Sequence, residues 1–117
     1  MKASGKKQWF IPGCSTGDSE SFETLSILNT GEVDAAVHMT LYFEKREPIE
    51  DIVIVVKARS SRHLEMRKPK QLGGVKIPKG LNYGAELKSD VPIVVQFVSR
   101  QGNPPSFGLM TLLPYSE

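Results

Sequence analysis

The sequence predicts an all-β fold: an antiparallel β-sandwich of about eight strands, jelly-roll-like, in a single domain spanning residues 1–117. Apolar residues recur with a period of two along most of the chain and almost nowhere with a period of 3.6. Many of these apolar residues are β-branched, which favours strands. Segments rich in Gly, Pro, Asn, Asp and Ser separate the apolar stretches, as turns do in sandwiches. A chain of 117 residues can bury one core between two sheets.

Each predicted strand is a short apolar or alternating stretch bounded by turn residues. The first contains WFIP, the second contains TLSIL, and the third alternates most clearly. In that third strand Val37, Met39 and Leu41 are predicted to face the core, whereas His38 and Tyr42 face the other side. In chain order the predicted strands cover residues 8–12, 23–28, 35–43, 51–57, 61–66, 82–88, 93–100 and 109–115.

The fourth predicted strand contains IVIVV, residues 52–56, and is apolar on both faces. The chain offers no helix to cover the second face, so a neighbouring subunit is expected to do so. The fifth strand carries the polar run SSRH. The sixth and seventh are separated by KSDVP, which is typical of a turn, and the eighth follows the segment QGNPPSFG. The sequence therefore predicts a homo-oligomer.

Composition narrows the class of protein. Cys14 is the only cysteine, which excludes an internal disulfide and favours a reducing compartment. The N-terminal segment lacks the apolar run of a signal peptide and no stretch is long enough to span a membrane, so a cytoplasmic protein is expected. Residues 18–51 hold nine acidic residues, and residues 57–79 hold eight Lys and Arg. The basic segment indicates solvated loops, an anion or nucleic-acid surface, or contacts between subunits.

Enzyme and cofactor signatures are not found. The sequence has no nucleophile elbow, no phosphate-binding loop, no dinucleotide-binding glycine motif and no paired cysteines. His38 has no second His or Cys at metal-ligand spacing. Cys14 lies in a predicted loop without a basic partner, which is typical of an inert thiol. We therefore expect a non-catalytic protein without a metal or cofactor.

Polar side chains on two predicted strands are the candidates for a site. In KARSSRHLEM, Arg59, Ser61 and His63 share one parity. The segment is either a solvated strand with ion pairs to the acidic half or a site, because these residue types can bind carboxylate, phosphate or hydroxyl groups. In DVPIVVQFVSR, Gln96 and Arg100 share a face within an apolar strand. Burying an unpaired amide costs roughly 2–7 kcal/mol, so Gln96 needs a structural partner, water or a ligand. The sequence thus predicts either a polar pocket floored by Gln96 or a buried amide with a structural partner.

Four segments together resemble the soluble sensory rhodopsin transducer family of cyanobacteria and related bacteria. They are WFIPG, TLSILNTGEVDAAVHMTLYF, VKARSSRHLEM and SDVPIVVQFVSR, and the resemblance extends over residues 9–114. It implies a small cytoplasmic β-sandwich that forms a homotetramer and couples a membrane photoreceptor to downstream events, with DNA contact proposed. It also implies a relation to domains that bind sugars or polyols. The polar positions that match are Trp9, Glu23, Asn29, Arg59, His63, Gln96 and Arg100.

Three functions follow as hypotheses. The first is a binding module in which Gln96, Arg59, His63 and Glu23 hold a small polar ligand and Trp9 offers a stacking face. The second is an adaptor that docks a membrane receptor or DNA through residues 57–79. The third, an enzyme with His63 and Glu23 as acid and base, lacks any accompanying motif. Residues 13–21 and 101–108 differ from the transducer pattern and are expected to be specificity or partner surfaces.

Overall fold

Antiparallel strands dominate the computed structural model of the protein, which describes residues 4–15, 22–78, 80–101, 108–112 and 115–116. The all-β prediction is confirmed. A 3₁₀ helix, Pro69–Leu72, lies between the fifth and sixth strands, and nowhere in the described residues is a helix long and apolar enough to cross a membrane. The strands are β1 Lys6–Ser15, β2 Phe22–Asn29, β3 Ala35–Phe43, β4 Ile49–Val56, β5 Ser60–Glu65, β6 Asn82–Gln101, β7 Gly108–Leu112 and β8 Tyr115–Ser116.

The 20-residue strand β6 joins the two halves of the curled sheet. Its first half pairs with β1 and β3, which gives a first sheet in the order β4-β3-β6-β1-β8. Its second half pairs with β2 and β7, which gives a second sheet in the order β5-β2-β6-β7. Both sheets are antiparallel and both contain β6, so this one continuous strand contributes residues to the inner faces of both sheets.

The predicted turn at KSDVP is therefore wrong, because β6 runs straight through it. Ser89 still pairs with Val37 in the first sheet, and Val94 already pairs with Leu28 in the second. The intervening residues pass from one sheet to the other. Pro92 lies in this passage, where its missing N–H removes no described ladder bond. The turn-forming residues of KSDVP therefore lie where β6 crosses from the first sheet to the second, and they do not reverse the direction of the chain.

The core lies between the inner faces of the two sheets. The predicted alternation of β3 is confirmed, because Val37, Met39 and Leu41 are fully buried and His38 is exposed. Phe97 is the largest fully buried side chain of the second sheet. Burying each such side chain stabilises the fold by roughly 1.5–3 kcal/mol. The inner rows therefore account for the sandwich, as the period-two pattern predicts.

The strand IVIVV leaves one apolar face uncovered. Val53 is 49% exposed and Val55 is 43% exposed, and Tyr42 of the adjacent β3 is 47% exposed. A bulge precedes them: Asp51 adopts a left-handed φ of 60°, and the β3–β4 register shifts between Met39 and Leu41. The outer face of the first sheet thus presents apolar area to solvent in this chain.

Candidate functional site

Two of the predicted site residues share the outer face of the second sheet. Ser26 of β2 pairs with His63 of β5 on one side and with Gln96 of β6 on the other. Ser26 Oγ lies 2.8 Å from His63 Nδ1, and Ser61 Oγ lies 3.5 Å from His63 Nε2. Two strand spacings place Gln96 roughly 10 Å from His63. We call the row His63, Ser26 and Gln96 the polar row.

The prediction that Gln96 is a buried amide is wrong. Gln96 is exposed, and among the described residues its amide has no protein partner, so the amide is open to solvent. Its neighbours Val95 and Phe97 take the inward positions instead. The polar row is a sheet surface and not the floor of a pocket.

Two further predicted residues lie inside the sandwich. Glu23 is 3% exposed and accepts a hydrogen bond of 2.7 Å from the Tyr83 hydroxyl. Trp9 is 9% exposed, and its indole N–H donates to the carbonyl oxygens of Lys6 and Ile93 at 3.0 and 3.1 Å. Neither offers the accessible carboxylate or stacking face that the sequence predicts. Glu23 and His63 occupy opposite faces of the second sheet, so they do not meet as an acid–base pair.

Asn29 ties the end of β2 to the end of β4 and to the β2–β3 connection. Its side chain is fully buried and donates to Val33 and Val56 carbonyl oxygens at 2.9 and 3.1 Å, while its Oδ1 accepts from Gly31 N–H at 3.0 Å. Arg59 is also placed at this end, in the β4–β5 turn before β5, so it does not continue the strand alternation of Ser61 and His63. It has a φ of 55°, and its N–H donates to the Gly31 carbonyl.

Arg100 completes the predicted set. Its backbone pairs with Phe22 and Leu109, and its side chain lies outside what the structure describes. Residues 16–21 and 102–107 of the predicted specificity loops, and the Cys14 side chain, also lie outside it. The predicted pocket of Gln96, Arg59, His63 and Glu23 is therefore not assembled.

A cavity that the sequence did not predict lies beside β5. Its volume is about 570 Å³, and it occupies the side where the edge strands β4 and β5 meet. Arg62 Nη1 donates to the Val55 carbonyl oxygen at 2.8 Å, which fixes the guanidinium across the gap between the two sheets. We call it the β4–β5 cavity; its lining residues are Val55, Lys57, Ser60, Ser61 and Arg62.

The turn that frames the β4–β5 cavity is fixed by one carboxylate. Asp34 Oδ1 accepts from the Ala58 N–H at 2.9 Å, and Lys57 Nζ lies 3.4 Å from Asp34 Oδ2. The Ala58 hydrogen bond, helped by Lys57, lowers the pKa of Asp34 below its usual value. This turn is therefore held in place at neutral pH.

The β4–β5 cavity offers hydrogen-bonding groups from two cations and two hydroxyls. The sequence signal for it was the density of cations and hydroxyls in KARSSRH. The sequence pattern does not show that β4 and β5 lie close together. Within the described ranges, no three His, Cys, Asp or Glu side chains are grouped as metal ligands.

A second exposed network lies on the outer face of the first sheet. The Tyr42 hydroxyl donates to Glu86 Oε1 at 2.8 Å, and Gln8 Nε2 donates to Glu86 Oε2 at 2.7 Å. The Tyr42 hydrogen bond, supported by Gln8 and Lys88, lowers the pKa of Glu86, and the same bond raises the pKa of Tyr42. Fixed polar groups thus share the outer face of the first sheet with the exposed valines of β4.

Comparison with known proteins agrees with this architecture. The chain is similar to a Thermotoga maritima protein, 1070, of known crystal structure, with a TM-score of 0.85, 28% sequence identity, and coverage of 97% of each chain. It is also similar to the Anabaena sensory rhodopsin transducer, with a TM-score of 0.75 and 28% identity over 83% of this chain and 97% of that one. No curated protein sequence matches significantly.

The family model of the Anabaena sensory rhodopsin transducer matches residues 4–116, which is nearly the whole chain. This match covers β1 to β8 and includes both the polar row and the β4–β5 cavity. The resemblance seen in the sequence is confirmed. The chain belongs to the Anabaena sensory rhodopsin transducer family.

Proposed function

We propose that this protein is a non-catalytic signalling module that binds a small polar ligand in the β4–β5 cavity. The observation that carries the proposal is the convergence of two cations and two hydroxyls on one recess of about 570 Å³. That volume lies within the roughly 300–1,000 Å³ range of small-molecule sites. The recess is open to solvent, since four of its five lining residues are exposed.

The lining groups define the ligand class as hydroxylated and anionic. Arg62 supplies a charged donor, and so does Lys57, whose charge is partly offset by Asp34 at 3.4 Å. The Ser60 hydroxyl donates to the Ala58 carbonyl oxygen at 3.2 Å and is left to accept, whereas the Ser61 hydroxyl can donate or accept. Arg62 already gives one N–H to the Val55 carbonyl, so its remaining donors keep a fixed direction. A polyol or sugar derivative that carries a carboxylate or phosphate meets these requirements.

Thermal unfolding with a ligand panel tests the proposal. The panel contains sorbitol, glucose, gluconate and glucose 6-phosphate. A ligand present at a hundredfold excess over its Kd stabilises the protein by about 2.7 kcal/mol, which raises Tm measurably. We expect the anionic members to raise Tm and the neutral ones to do so less.

Three variants locate the effect. Lys57→Gln should reduce the ligand-induced shift in Tm. Lys70→Gln should leave that shift unchanged, because Lys70 is exposed on the 3₁₀ helix and does not line the cavity. Gln96→Leu should leave the shift unchanged, because Gln96 does not line the cavity. A shift that is lost in Gln96→Leu and kept in Lys57→Gln would move the site to the polar row. The absence of any shift would contradict the proposal.

An adaptor is the second candidate, supported by the open apolar face of the first sheet. Val53, Val55 and Tyr42 are exposed on that face beside the fixed Glu86 carboxylate. Such patches mark interaction surfaces. The partners proposed here are further copies of this chain, as a cytoplasmic homotetramer, and a membrane rhodopsin, as named for the Anabaena relative. Sedimentation of the chain alone and with the rhodopsin in detergent tests both contacts.

DNA is the remaining partner of the adaptor hypothesis. Lys68, Lys70 and Lys76 are exposed on the connection between β5 and β6. Lys68 forms an ion pair with Glu65, which lowers the charge available to phosphate. A gel shift that weakens steeply with salt and is lost on neutralising these lysines would support DNA binding. A shift that is absent or insensitive to salt would exclude it.

A further inference from the structure

A second recess lies at the far end of the first sheet from the β4–β5 cavity. It has a volume of about 300 Å³ and lies where β3 ends and β6 begins. The nine residues of β3 separate the two ends by roughly 30 Å. We call it the β3–β6 cleft; its lining residues are Phe43, Glu44, Lys45, Arg46, Gly80, Leu81 and Asn82.

The guanidinium of the β3–β6 cleft is positioned by an aromatic ring. Arg46 Cζ lies 5.3 Å from the centroid of the Phe43 ring. That ring packs in turn on Tyr83 of β6, with centroids 6.1 Å apart. Among the described residues the Arg46 guanidinium makes no hydrogen bond, so its N–H groups are available to donate. The cation–π contact with Phe43 thus places a planar guanidinium in the lining of the cleft.

The other lining groups define what this guanidinium would bind. Lys45 adds a second positive charge, and Glu44 offsets one of the two, so the formal charge of the described lining is +1. The described lining is thus net positive and favours an anion over a neutral ligand. Half-buried Phe43 and Leu81 offer apolar contact, and the Asn82 amide offers a neutral hydrogen bond.

We propose that the β3–β6 cleft binds a small organic carboxylate with a flat apolar body. The carboxylate accepts paired hydrogen bonds from the Arg46 guanidinium, because the planar fork matches carboxylate geometry. The apolar body lies against Phe43 and Leu81. This site is independent of the β4–β5 cavity and holds whether or not that cavity binds a polyol.

Titration of the ¹⁵N-labelled protein with sodium benzoate tests the proposal, with benzamide as the uncharged probe of the same shape. Benzoate should shift the amide resonances of Arg46, Gly80 and Asn82 in a saturable way, and benzamide should shift them far less. Inorganic phosphate should bind more weakly than benzoate because it cannot use the apolar wall.

Two matched variants complete the test. Arg46→Gln should weaken benzoate binding by about tenfold or more, since hydrogen bonds to charged groups are the stronger class. Lys70→Gln removes an exposed cation elsewhere and should leave benzoate binding unchanged. Because Arg46 is exposed, Arg46→Gln should keep the fold, and the amide NMR spectrum of this variant checks that it does. Equal affinity in Arg46→Gln, equal binding of benzamide or phosphate, or no saturable shift would each overturn the proposal.

Discussion

Replacing Asn29 with Ala should destabilise the protein strongly, because this buried amide makes three hydrogen bonds. Two of them, to the Val56 carbonyl and from the Gly31 N–H, are fully buried. Each partner left unsatisfied costs about 1–3 kcal/mol. The third bond, to the Val33 carbonyl, is partly buried and adds less. We expect a loss of about 3 kcal/mol in the free energy of unfolding, a large share of the 5–15 kcal/mol of a typical domain.

Urea unfolding followed by the fluorescence of Trp9, the single tryptophan, measures this loss. Asn82→Ala is the matched control: Asn82 is exposed, and its replacement should change stability by less than about 0.5 kcal/mol. Asn29→Asp keeps the volume but points a carboxylate at two carbonyl oxygens, so it should be at least as destabilising at pH 7. A cost below about 1 kcal/mol for Asn29→Ala would refute the structural role and return Asn29 to the candidate ligand residues.

Three further outcomes are expected. Tyr42→Phe removes the main cause of the lowered pKa of Glu86, so that pKa should rise in a ¹³C NMR titration, with at most about 1 kcal/mol of stability lost because Tyr42 is half exposed. Because folding lowers the pKa of Glu86, this carboxylate stabilises the fold at neutral pH, and the stabilisation is lost as the pH falls through the folded-state pKa. Tyr42→Phe should therefore lose less stability on acidification than the unmodified protein. An identical dependence of stability on pH in the two proteins would contradict this. Val53→Lys puts a charge on the open face of the first sheet and should lower the mass measured by light scattering if that face joins subunits; an unchanged oligomer would place the interface elsewhere. Gly5→Ala should prevent a native fold or lower Tm sharply, because Gly5 has a φ of 105° and an added Cβ would lie 2.0 Å from the Ile93 carbonyl oxygen; a native Tm would contradict this.

Much of the fold was readable because burial in a sandwich follows the period of the strand. The row Val37, Met39 and Leu41 is fully buried, as its alternation predicts. The continuity of β6 was not readable, because KSDVP has the composition of a turn. Whether such a segment reverses the chain or carries it between sheets depends on pairing with distant strands. Local sequence does not encode that pairing.

The candidate site was less predictable, for two different reasons. The outward position of Gln96 could have been inferred, since Phe97 shares its row with Ile93 and Val95 and the bulkier row faces the core. The position of the β4–β5 cavity could not have been inferred from the sequence. It depends on Arg62 reaching across to β4, and this contact arises from the way two edge strands approach each other.

The most direct test of a recognition site outside the core is an amide NMR titration with gluconate and glucose 6-phosphate. The structure predicts that shifts cluster at Lys57, Ser61 and Arg62 around the β4–β5 cavity. Shifts centred on the buried Glu23 and Trp9, or a spectrum unchanged by either compound, would contradict it.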